Sequence, residues 1–300
     1  MPQGIEEVER IHILKEVANT LIVQAGEERS DCILFTIADL INSIGVANTP
    51  ENEDRRRYAQ YNLLAGKIAL AIPDFASALS FLKAGIAFLG EECWNDGSNY
   101  RLSLDLFNNA ALAGWALGET HLMKNGLDEV MNNARCFEDK IDSMSVLIHW
   151  QVMTGVSNEM SLANILQVLA HLGETFPDAI DDCAVAEELD AVKQLLPATL
   201  NDLPAMKDTR LIKAMVSPWS DFDARGNIML SAVSQLGCVF GLPRKYAATK
   251  EFFSLAIYTC YRMKERLFVL VSCRVVRCTL THGFHATSSV GLAGMALSCE

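Results

Sequence analysis

The chain of 300 residues contains no C-x-x-C pair, no basic block, only 8 prolines and only 8% aromatic residues. Each shortage excludes a class. Few prolines beside 50% apolar and 21% charged residues exclude a disordered chain. Against 37 Asp+Glu stand 25 Lys+Arg, a formal charge of -12. An acidic surface without a basic patch has no electrostatic footprint for nucleic acid or for an anionic membrane. The nine cysteines are odd in number and scattered, which fits a reduced cytoplasmic protein whose thiols are mostly core residues. Glu6, Glu7 and Glu9 stand where a secretory signal would need a cationic start and an apolar stretch. The charge-free run Gly226–Pro243 carries Asn227, Ser231, Ser234, Gln235 and three glycines, so it reads as a buried helix and not as a membrane span.

Strand signals are also missing. The single Asp-Gly, Asp96-Gly97, sits between helical stretches, and no short alternating run of β-branched residues flanks it. What is present instead is helical periodicity, repeated. Phe75, Ala78, Leu79, Leu82, Ile86 and Leu89 recur at helical spacing, and Tyr58, Tyr61, Leu64, Ala65 and Ile68 mark a stripe on the segment before them. Pro73 separates the two, since proline has no N–H to continue the ladder. Two amphipathic helices with almost no linker must pack as an antiparallel hairpin. The same reading places helices at Ile5–Gln24, Glu27–Ile44, Tyr100–Leu117, Leu122–Phe137, Ile141–Met153, Met160–Leu172 and Asp181–Leu196. Beyond Pro197 it places them at Ala224–Phe240, Arg244–Tyr261, Glu265–Thr281 and Thr287–Ser298. The expected fold is all-α: a tetratricopeptide-like superhelix of stacked antiparallel hairpins, because one hairpin cannot bury its own apolar face. The expected division is an N-terminal helical-repeat block at 1–196, a connector at 197–220 punctuated by Pro197, Pro204 and Pro218, and a C-terminal helical block at 221–300. The connector is the expected hinge. The end at Ala296–Glu300, inside an apparent helix, reads as a truncated gene product.

Tyr61-Asn-Leu-Leu-Ala-Gly-Lys-Ile-Ala, followed by Phe75-Ala-Ser-Ala-Leu-Ser-Phe-Leu and Trp94, resembles the tetratricopeptide-like region that follows the ATPase module of large AAA-type signalling ATPases. Ile33-Leu-Phe-Thr-Ile-Ala-Asp-Leu-Ile-Asn upstream resembles the helix before those repeats. Leu169-Ala-His-Leu-Gly-Glu-Thr-Phe-Pro, Asp202-Leu-Pro-Ala-Met-Lys-Asp and Leu280-Thr-His-Gly match junctions of the family in order. The resemblance implies a piece of a multidomain protein, with a nucleotide site upstream and a kinase or cyclase output downstream. The chain itself has no G-x-x-x-x-G-K-[ST] loop: Gly66-Lys67 has Tyr61 in place of the first glycine and Ile68 in place of the magnesium-binding hydroxyl. It is therefore expected neither to bind nor to hydrolyse ATP–magnesium.

No constellation in the sequence carries chemistry. Cys273, Cys278, His282 and His285 are the nearest to a zinc set, but Cys273 sits round the helix from Cys278, and His282-Gly283 reads as a capped helix end. No H-E-x-x-H or G-x-S-x-G occurs, and His12 and His149, among apolar neighbours, read as packing histidines. The acidic pairs Asp181/Asp182 and Glu187/Glu188 read as a solvated face, because adjacent helical residues diverge by about 100°. Arg55-Arg56-Arg57 reads as a solvated charge run, and Phe81, Phe88, Trp115 and Trp150 as core. The expectation is a non-catalytic interaction or regulatory module with no catalytic, cofactor-binding or metal residues, whose partners are proteins, peptides or neighbouring domains. Two alternatives stand beside it: the sensor or transmission segment of an ATP-dependent signalling enzyme, and a small-molecule sensor with a pocket between helices.

Overall fold

The structure, a computed structural model, describes residues 2–25, 31–91, 93–95, 97–177, 179–195, 244–263 and 266–282. The expected connector 197–220, the run Gly226–Pro243, the helices expected at Ala224–Phe240 and Thr287–Ser298, and His285 lie outside the described residues. Among the described residues there are eleven α-helices, two short 3-10 turns and no strand. No described helix is long and apolar enough to cross a membrane. The chain divides into two compact units, Met1–Val146 and Leu147–Glu300, and the boundary falls inside a helix where no proline or glycine marks it.

The first unit holds α1 (Pro2–Ala25), α2 (Asp31–Ile44), α3 (Asn52–Ala71), α4 (Phe75–Leu89), α5 (Tyr100–Ala116), α6 (Thr120–Asn133) and the start of α7 (Ile141–Thr154). From α1 to α6 each helix packs on the next in sequence. Short links make successive helices antiparallel, so α2 and α4, both packed on α3, run in the same direction. Local chemistry sets the ends. Asp74 caps α4, its Oδ1 accepting from the Ser77 N–H at 3.2 Å. Gly90, at φ +73°, closes it, with its N–H donating to the Ile86 carbonyl. The helix expected to run from Leu122 to Phe137 stops at Asn133, and a 3-10 turn at Glu138–Lys140 follows.

One core runs through α2, α3, α4 and α5, with Tyr58 edge-on to Phe88 at 5.6 Å between ring centroids. On α4 the expected stripe is buried in part: Ala78, Leu79 and Leu82 are buried, while Phe75, Ile86 and Leu89 are half-buried and Phe81, Gly85 and Phe88 complete the buried face. On α3 only Tyr58 and Ala65 of the expected stripe are buried: Leu64 is exposed, and the buried face is completed by Ala59, Asn62, Leu63, Gly66 and Ala69. The reason is close approach. A Cβ on Gly66 would lie 2.6 Å from Leu82 Cγ, and one on Gly126 of α6 would lie 3.1 Å from Ala111 Cβ and 3.2 Å from the Phe107 carbonyl oxygen of α5. Reading bulky residues as the buried stripe misses a face built from small ones.

The second unit holds the rest of α7, then α8 (Asn158–His171), α9 (Asp182–Leu195), α10 (Arg244–Met263) and α11 (Leu267–His282). Here the order is not sequential: α8 packs on α10, α10 on α11, and α11 on α9. Gly126→Val should lower stability by about 1–3 kcal/mol through overpacking against the α5 backbone. Gly97→Ala, whose Cβ meets nothing within 4 Å, should stay within about 0.5 kcal/mol. Urea titrations of the two variants check this.

Candidate functional site

Two places gather polar groups, one in each unit. In the first unit a recess of about 480 Å³ opens between α2 and α4. Its walls are Asp39, Asn42 and Ser43 at i, i+3 and i+4 on α2, and Ser77, Ser80 and Phe81 at the same spacing on α4. Helical geometry puts each triplet on one face. Beneath lies a small apolar cluster of Ala38, Ala65 and Phe81, with Phe35 stacked on Phe81 at 5.7 Å. At the edge Asn42 and Asn62 exchange amide hydrogen bonds of 2.9 and 3.0 Å, and Asn62, fully buried, also donates to the Tyr58 carbonyl. Two mutually satisfied amides tie α2 to α3 at the depth where an unpaired one would cost about 1–3 kcal/mol.

In the second unit α10 is buried on every side: each residue from Ala248 to Ile257 is buried, including Lys250 at 0% exposure and Glu251 at 7%. Ser254 and Thr259 satisfy their hydroxyls by donating to carbonyls one turn back. His149 of α7, 2% exposed, brings its Nδ1 to 3.9 Å from Glu251 Oε1. Burial lowers the Lys250 ammonium to a pKa of about 8, while the neighbouring Cys278 pulls the other way. Burial likewise raises the Cys278 thiol, with Lys250 opposing the rise. On α11, Arg274 donates from Nε to Glu188 of α9, and from Nη1 to Glu174 Oε2 at 3.1 Å and the Thr175 carbonyl at 2.9 Å. Its guanidinium also lies 5.0 Å from the Phe176 ring centroid. Arg277 adds contacts of 3.3 Å to Glu188 and 3.7 Å to Glu174. Two cations and two anions therefore close a neutral network across α9, α11 and the segment after α8.

The residues singled out from sequence are dispersed by this arrangement. Cys273 and Cys278 are buried in α11, and His282, its last residue, stacks on Tyr246 at 3.7 Å. Among the described residues no three His, Cys, Asp or Glu side chains gather as metal ligands. Gly66 and Lys67 lie in α3, with Lys67 paired to Asp105 at 3.0 Å. Three expectations need correction. Glu188 is not on a solvated face: at 7% exposure it is the acceptor that Arg274 and Arg277 require. Asp181 and Asp182 are exposed as expected, and Asp181 also caps α9, taking the Ala184 N–H at 2.8 Å. His12 is exposed, since α1 turns that face outward, and does not pack. Arg55 and Arg57 are not simply solvated: Arg55 donates to the Thr49 carbonyl at 2.5 Å, and Arg57 donates to Asn19 at 2.9 Å and pairs with Asp54 at 3.1 Å. Sequence reading missed Lys250, Glu251, Arg274 and the recess altogether. Charge inside an apolar periodic segment was the available signal for the first three.

No protein-family model matches the chain, and neither the curated proteins nor the solved structures yield a match.

Removing one member of the network leaves a buried charge unpaired. With Arg277 still reaching both carboxylates, Arg274→Leu should cost about 1–3 kcal/mol, and adding Glu188→Leu should restore part of it; chemical denaturation of the single and double variants measures both. Lys250 gives a pH signature. Its folded pKa lies below the value of 10.5 expected when exposed, so the unfolded chain binds the extra proton between the two values. Stability therefore rises as pH climbs through 8 and toward 9. Above 9 the raised thiol of Cys278 acts in the opposite sense. Thermal melts at pH 7 and pH 9 should show the rise in the parent chain and its loss in Lys250→Met.

Proposed function

We propose that the chain is a non-catalytic helical-repeat interaction and regulatory module, and that partners dock in the recess between α2 and α4. The observation that carries this reading is the recess itself. It has hydroxyl, amide and carboxylate groups at one-turn spacing on two helices that run the same way, above a firm apolar floor. Its volume lies within the range of roughly 300–1,000 Å³ typical of ligand sites. Hairpins stacked in sequence order, as in α1 to α6, support the further reading that they belong to a tetratricopeptide-like superhelix. The resemblance of Tyr61–Ala69 and Phe75–Leu82 to the helical region of signalling ATPases supports a cytoplasmic role in transmitting a partner's presence to a neighbouring domain. In the second unit the conspicuous titratable groups are paired within the fold or deeply buried, which supports a scaffold role there.

The test is direct. Peptides selected from a random library on the full chain should compete for one site. Ser80→Trp, which fills the recess from an exposed position, should weaken them by at least ~10-fold while far-UV circular dichroism stays unchanged. Selected peptides that bind the Trp variant as they bind the parent would overturn the reading.

A further inference from the structure

We infer that the occupant of the α2/α4 recess is a basic segment of a partner polypeptide, which sets an arginine or lysine side chain against Asp39; this rests on the docking reading above. The argument begins with protons. The Ser43 hydroxyl donates to the Asp39 carbonyl at 2.8 Å, so toward the recess it offers only lone pairs. The Ser77 side chain is engaged with the Asp74 carboxylate in the same sense, and that bond helps hold the Asp74 carboxyl below its ordinary range. The Asn42 amide is engaged through both its oxygen and its nitrogen with Asn62. The Asp39 carboxylate can only accept. With the Ser43 and Ser77 hydroxyl protons spent, the Ser80 hydroxyl and one Asn42 N–H are the donors left, and the side chains that bring several donors together with the positive charge that Asp39 lacks are the guanidinium and the ammonium.

Charge points the same way. The residues at i±3 and i±4 from Asp39 are Phe35, Thr36, Asn42 and Ser43, so no helical neighbour supplies a cation. Among the described residues nothing pairs with its carboxylate, whereas Asp54, Asp105 and Asp139 of the same unit each have an arginine or lysine. The unit that holds the recess, residues 1–146, contains 12 Lys+Arg against 22 Asp+Glu, a net charge of -10, while residues 147–300 contain 13 against 15. Most of the net negative charge of the chain, -10 of -12, therefore lies in the unit that holds this site and steers a cationic partner toward that unit. The ring of Phe81, backed by Phe35, provides the apolar surface on which the methylene stem of such a side chain lies while its charged end reaches Asp39. An anionic segment would meet Asp39 and a row of lone pairs.

The experiment uses the peptides that Ser80→Trp weakens. Each should share an arginine or lysine at a common position. In fluorescence anisotropy, Asp39→Asn should weaken binding ~10-fold and flatten its dependence on salt, and Asp39→Glu should retain it within a few-fold. Trp-sensitive peptides that lack a basic residue, or that bind Asp39→Asn as well as the parent, would overturn the cationic occupant and leave the docking surface standing. If no selected peptide is sensitive to Ser80→Trp, both readings fall.

Discussion

Close helix approach governs the first unit. A Cβ on Gly66 would press into Leu82, one on Gly85 would fall 2.7 Å from Leu106, and one on Gly114 would fall 3.0 Å from the Met123 backbone nitrogen. Each contact lies between different helices, so α3, α4, α5 and α6 are drawn together at points where a side chain has been deleted. Dispersion then acts over short range along the whole seam, and Ala59, Ala65, Ala78 and Ala111 extend it. Such seams leave little freedom for sliding. The geometry that places Asp39 and Ser80 across one recess follows from it, because α2 and α4 are both referenced to α3.

The second unit solves a different problem. Among its described helices α8, distant along the chain, and α11, the next in sequence, pack on α10, which carries polar residues inside. The enclosure costs free energy at Lys250, where burial opposes the charged form. It is offset at Arg274, where every strong partner is present: a carboxylate on either side, a carbonyl and an aromatic ring. Glu188 Oε2, buried and without a hydrogen-bond partner, shows that the balance is incomplete. A network of this kind fixes which helices meet more than it stabilises them, since mismatched pairing would strand a buried charge.

Much of the fold was legible as periodicity, since repeated 3.6-residue stripes and turn residues at Pro73, Gly118 and Gly155 require helices and short breaks. The all-helical class and most of the described helices follow from that signal alone. The face of α3 was not legible, because Gly66 and Ala69 are buried by shape complementarity and a hydropathy stripe gives weight to Leu64 instead. Nor was Glu188. Its neighbour Glu187 is exposed, and only the approach of Arg274, 86 residues away in sequence, distinguishes the two. Pairings across that distance are set by tertiary packing, which a single sequence encodes without displaying. The recess was illegible for the same reason: its five polar residues and Phe81 are ordinary helical positions until packing on α3 brings α2 and α4 together.

One part of the site nevertheless follows from local rules. A serine or threonine on a helix can donate its hydroxyl proton to the carbonyl four residues back, as Thr20, Thr36, Ser43, Thr154, Ser161, Ser272 and Thr281 all do here. Once that bond forms, the oxygen faces outward as an acceptor. A helical face written with such hydroxyls and an acidic residue thus has a hydrogen-bonding polarity fixed by the backbone beneath it. The polarity does not depend on how the helix is packed. Packing decides only what such a face meets, and in the first unit the face of α2 that carries Asp39 and Ser43 meets Ser77, Ser80 and Phe81 of α4.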